Sequence, residues 1–109
     1  MRTIYRQGDV LFTKIKSIPA GDRRPRARGV LAFGEATGHS HAVAVEDLAD
    51  AEVFEINLPN FPSALFLRAS RDGIKIVHEE HGMVVLPAGD YEVATQREYS
   101  PLAIRNVVD

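Results

Sequence analysis

Two short motifs hold all four histidines of the chain, Gly38-His39-Ser40-His41 and His78-Glu79-Glu80-His81-Gly82. Neutral imidazole is the commonest side-chain metal ligand. The chain has no cysteine, so any metal chemistry must use His, Asp and Glu. Residues two apart in an extended strand share a face, and two imidazoles at that spacing stand about 6–7 Å apart along the chain. His39 and His41 therefore point the same way. Val43 and Val45 continue that face, which marks it as the inward one. His78 shares its parity with Ile74 and Ile76. His81 falls in a short loop, where it either folds back over the site or stays in water. Paired, inward-facing histidines predict a divalent metal site built on His39, His41 and His78, with Glu46 or His81 completing the sphere. Glu35 is the other carboxylate close in sequence, whereas Glu79 and Glu80 are expected to be solvated, with Glu79 facing away from His78. The plainer alternative is that His39 and His41 hydrogen-bond locally while His78 and His81 decorate a polar hairpin tip.

Holding those side chains requires strands. The dominant signal is short apolar segments of period near two, separated by turn residues. Val10–Ile15 follows Gly8-Asp9 and ends before Pro19-Ala20-Gly21-Asp22. Further segments cover 29–33, 39–45, 52–56 and 64–69, and Arg71-Asp72-Gly73 marks a tight turn. Ile74–Glu79 and Met83–Leu86 flank a short loop and read as a hairpin; segments at 91–99 and 102–108 follow. About eight strands at spacings of roughly 8–12 residues predict an all-β chain, a small single-domain antiparallel β-barrel or sandwich over residues 1–109. One or two helical turns are expected near Glu46–Ala51. Phe54, Phe66 and Leu67 are expected in the core, and Phe61 there or in an exposed contact loop.

Length and charge narrow the function classes. The 109 residues suffice for one sizeable core, and a formal charge of −2 supplies no global field toward nucleic acid or lipid. Apolar runs are too short for a transmembrane helix, and the first residues lack a signal peptide's apolar core. These features predict a cytoplasmic protein without membrane association. Arg23, Arg24, Arg26 and Arg28 cluster around Pro25. Without interleaved aromatics they are expected to form a mobile, solvated loop that does not bind nucleic acid tightly. Neither a Gly-x-Ser-x-Gly elbow nor a phosphate-binding Gly loop is present.

The spacing of these motifs resembles that of the cupins, small β-barrels with a metal in the barrel mouth. Gly34, His39-Ser40-His41 and Glu46 follow the order of the first cupin motif, and Gly82 with Pro87-Ala88-Gly89 follows that of the second. Glu92 stands where the last cupin histidine would be, and Gln96 replaces the asparagine. The resemblance implies a jelly-roll fold and metal ligation by His39, His41 and Glu46, with His78 supplying an imidazole from a different position. An all-N/O site of this kind suits Fe, Mn, Ni or Zn, and an open coordination position would admit a small-molecule ligand. Whether the chain is a metal-dependent enzyme, and whether it forms a homo-oligomer, stays open. The alternative is a non-catalytic binding or assembly module, phage- or operon-encoded, that uses the arginine segment.

Overall fold

Alternation of side chains between core and solvent organises the described residues into ten strands. The computed structural model describes residues 3–26, 29–33, 40–57 and 63–95. In chain order the strands are β1 (Ile4–Gln7), β2 (Val10–Ile15), β3 (Arg23–Pro25), β4 (Val30–Phe33), β5 (Ser40–Val43), β6 (Ala51–Ile56), β7 (Ala64–Ala69), β8 (Ile74–Val77), β9 (Val84–Leu86) and β10 (Gly89–Thr95). A six-residue 3₁₀ helix, Val45–Asp50, links β5 to β6. The strands form two antiparallel sheets, one ordered β1-β2-β10-β7-β6-β3 and the other β4-β5-β8-β9. Each sheet keeps two edges, so the all-β chain is a two-sheet sandwich, and no closed barrel is found among the described residues. None of the described helices is long and apolar enough to cross a membrane.

The main core lies between the sheets. Val10, Phe12, Leu67, Tyr91 and Val93 from the larger sheet meet Leu31, Val43, Ile74, Ile76 and Leu86 from the smaller. The larger sheet also buries part of its other face, where Phe54, Ile56 and Phe66 pack beneath Ile15, Ile18 and Ala64. Phe54 and Leu67 are thus both core but belong to opposite faces. Phe61 lies outside the described residues.

Two expectations about local structure are corrected. The segment through His41 ends as a strand at Val43, and Val45 is 81% exposed at the start of the 3₁₀ helix instead of continuing the inward face. Asp47 is the reason. Its amide donates to Ala44 O at 2.9 Å, and its buried carboxylate accepts the Lys75 backbone N–H at 2.9 Å, which turns the chain immediately after β5. The arginine segment is not a mobile loop either. Arg23–Pro25 pairs with β6 in the register Arg23↔Ile56, Arg24↔Glu55 and Pro25↔Phe54. Cross-strand carboxylates make the difference: Arg23 sits 3.7 Å from Glu52, Arg26 bonds Glu55 at 3.0 Å, and Arg24 bonds Asn57 at 3.1 Å. The Arg23 guanidinium also lies 4.5 Å over the Phe54 ring. Pro25 is tolerated because β3 is an edge strand. Arg28 lies outside the described residues.

Candidate functional site

At one end of the sandwich a polar group crosses between the sheets. Gln7 has the same inward parity as Tyr5, and its register partner Val10 has that of Phe12. A two-residue loop, Gly8-Asp9, joins the strands; Gly8 adopts φ +59°, as the first loop position of primed hairpin turns demands. Gln7 is only 2% exposed, so its amide must be satisfied within the protein. Its Nε2 donates to Ile76 O at 2.9 Å and to Gly82 O at 3.0 Å, using both amide protons. The amide is therefore oriented, and Oε1 can only accept.

That orientation determines the histidine beside it. His41, on β5 and 3% exposed, lies with Nδ1 2.9 Å from Gln7 Oε1. Since Oε1 accepts, Nδ1 carries the proton, and the lone pair of the neutral ring is at Nε2. Nε2 faces Asp9 Oδ1 at 3.9 Å, too long for a direct hydrogen bond. Burial and the neighbouring His78 push the imidazole below its ordinary pKa of 6.5, against the opposing pull of Asp9. The ring is held neutral.

The turn after β8 brings the other two imidazoles to the same place. Ring centroids stand 4.2 Å apart for His41–His78, 4.7 Å for His78–His81 and 5.9 Å for His41–His81. His78 accepts the backbone N–H groups of Glu80 and His81 on Nδ1, at 3.0 and 3.3 Å, so it stitches the turn that carries His81. His81 stays exposed to solvent while its ring lies beside those of His41 and His78. Its Nε2 lies so close to Gly8 that a Cβ there would approach to 2.6 Å. Glu79 accepts the Ser40 backbone N–H at 3.1 Å, and its charge is felt at His41.

Glu46 is not drawn into this group. It stands on the 3₁₀ helix with its carboxylate 3.6 Å from Lys75 Nζ. His39 and Glu35 lie outside the described residues, and Glu92 is exposed on β10. Among the described residues, no group of three or more His, Asp or Glu side chains is placed so that it could hold a metal ion. Sequence reasoning missed Gln7, Gly8 and Asp9. The available signal was an amide at an inward position immediately before a Gly-Asp hairpin turn, where a core polar group must have a partner.

A family model described as a domain of unknown function (DUF8820) matches residues 6–96, which span the Gln7–Asp9 turn and all four histidines. Comparison with curated proteins and with solved structures returned no match.

Proposed function

The chain belongs to the DUF8820 family of domains of unknown function, and from its own residues we propose that it is a divalent-metal-binding β-sandwich protein. The observation that carries this reading is the gathering of His41, His78 and His81, from two separate segments, at ring spacings of 4.2–5.9 Å. Two imidazoles that share an ion through bonds of about 2.0–2.1 Å place their centroids roughly 5 Å apart. The observed spacings bracket that value. A neutral, buried His41 with Nε2 free of the Gln7 contact is a ready donor. His78 organises the turn through Nδ1, leaving His41 and His81 as the two best-placed nitrogen donors. An N/O site of this type suits Zn, Fe(II), Mn or Ni, and an ion with an open position could act as a Lewis acid on a small molecule.

The likeness of His39-Ser40-His41 to the first cupin motif supports the same reading, with His39 two residues before His41 on the expected inward parity. The alternative of a binding module built on the arginines has less behind it. Arg23, Arg24 and Arg26 are already engaged by Glu52, Glu55 and Asn57, which leaves little charge for phosphates.

Calorimetric titration of metal-free protein with Zn, Ni, Mn and Fe(II) tests the proposal. About one ion per chain with Kd below 10 μM, corresponding to roughly 7 kcal/mol, is the expected result. Absence of binding at that strength for all four ions refutes it.

A further inference from the structure

We propose that the outer face of the four-stranded sheet docks a basic amphipathic helix of a partner protein, on a surface separate from the proposed metal site. Ile74, Ile76 and Leu86 face the core, so Lys75, Val77 and Val85 alternate outward. Val77 stands opposite Ala42 on β5, and Met83 lies just past the last β8–β9 pair, beside Val77. Val77 is 39% exposed, Met83 56% and Val85 48%. Val45, at 81%, follows shortly after the end of β5. Four of the five large apolar side chains exposed among the described residues therefore gather on or beside this one face. Contiguous exposure of this kind, unlike scattered single residues, marks an interaction surface. The larger sheet treats its outer face differently: Phe54, Ile56 and Phe66 are buried there beneath Ile15 and Ile18, and Arg68 pairs with Asp90 at 3.0 Å.

The charges around this face select its partner. Residues 40–50 and 71–88, which carry β5, β8, β9 and their turns, hold six carboxylates against two cations, an excess of −4 where the whole chain has −2. Glu46 stands near one end of the face and Glu79 near the other, where it bonds the Ser40 backbone. The two cations are already drawn to carboxylates: Lys75 to Asp47 at 3.1 Å and Glu46 at 3.6 Å, Arg71 to Asp47 and Asp50. Nucleic acid and anionic lipid are repelled by such a rim, and a second copy would bring the same sign. Lysines and arginines flanking an apolar stripe are the complement. Width selects the element that carries them. From β5 across β8 to β9 is two strand spacings, about 10 Å, which matches an α-helix of roughly 10–12 Å diameter lying on the sheet.

The test is titration of the ¹⁵N-labelled chain with two model helices, each with leucine at i, i+3, i+4 and i+7. One carries lysine at the remaining positions and its counterpart carries glutamate. The proteins compared are the parent, Val77→Ser, Met83→Ser, Ile4→Ser and the double variant Glu79→Gln with Glu80→Gln, each checked for folding by circular dichroism. The lysine helix should bind the parent with Kd of roughly 10–100 μM, as suits a small interface, and shift the amides of β5, β8 and β9. Val77→Ser and Met83→Ser should each weaken it about tenfold, and the double variant roughly two- to fivefold. Ile4→Ser, on the other sheet and 51% exposed in the parent, should leave it unchanged. Equal binding of the glutamate helix, or shifts confined to the six-stranded sheet, overturns the proposal. So does binding that survives intact in both Val77→Ser and Met83→Ser. A parent that sediments as a dimer, with Val77→Ser a monomer, gives the face to a second copy instead and overturns it too. No binding at about 1 mM lysine helix refutes it outright.

Discussion

His41 is a buried imidazole whose hydrogen bonds leave one lone pair for chemistry, and its neutrality has a consequence for stability. Its pKa is lowered in the fold by burial and by His78. The unfolded chain accepts the proton more readily, so stability rises with pH and is fully present above about 6.5, the unfolded value. Thermal melts should show a falling midpoint as pH drops from 7 to 5, and His41→Gln should flatten that dependence. A pH-independent parent would contradict the assignment. Among the histidines, His41→Ala and His81→Ala should each abolish metal binding. His78→Ala should weaken it through loss of the turn, which titration of the three variants would separate. Asp47 behaves in the opposite range. The Lys75 backbone N–H, outweighing the cost of burial and aided by Arg71 and the Lys75 side chain, holds its carboxyl down at about 2. Its contribution is therefore present above about 4 and lost as pH falls toward 2. Asp47→Asn should lower the melting temperature at pH 7 by about 5 °C or more. The gap to the parent should narrow by pH 2.5.

The β1–β2 hairpin, β5 and the β8–β9 turn meet at the histidine cluster, with Gln7, His41 and the His78–His81 turn each coming from a different one. Gly8 is the point of contact. A side chain there would face both a positive φ and the His81 ring at 2.6 Å. Gly8→Ala should cost roughly 1–2 kcal/mol for the left-handed backbone. It should also push His81 away, so metal affinity should fall further than stability explains. Denaturant melts beside metal titrations would reveal whether the two losses differ. At the opposite edge, β3 is held by arginine–carboxylate pairs that remain partly open to solvent. Such pairs contribute about 0.2–1 kcal/mol each. Arg26→Ala should therefore change stability by less than about 1 kcal/mol. The parent should not shift a short RNA at submicromolar protein and 150 mM salt.

For the whole molecule, the Gln7–His41 contact is a bridge between sheets. Gln7 belongs to the six-stranded sheet and His41, Ile76 and the β8–β9 turn to the four-stranded one, so an ion bound at the proposed histidine site would fasten one end of the sandwich. An ion that binds only the folded state stabilises it by mass action, about 2.7 kcal/mol at one hundred times Kd. For a domain of this size the melting temperature should rise by about 10 °C on saturation with Zn(II) and return on addition of chelator. Calorimetric scans with and without metal would show it, and His41→Ala should remove the shift.

Local alternation and turn chemistry were enough to determine the all-β class and several elements directly. Ala64–Ala69 is a strand over its whole expected length. Val10–Ile15 is likewise one, and the hairpin through Ile74 and Leu86 pairs as its apolar parity requires. These features depend on neighbours a few residues apart, so they are legible in one dimension. The expected helical turn after the His-x-His strand is there, yet the strand's early end was not legible, because Asp47 finds its partner at Lys75, 28 residues on. The same limit hid β3, whose arginines are ordered by Glu52 and Glu55 on a strand far along the chain. Residue type and spacing alone marked the paired histidines as candidates, and the clustering of His41 with His78 and His81 is a property of the fold. Only the folded chain brought Gln7 to His41 across 34 residues and to Ile76 across 69. A tautomer, the facing carboxylate and the closing of His81 onto Gly8 are set by contacts between sheets, and sheet-to-sheet contacts leave no period in the sequence.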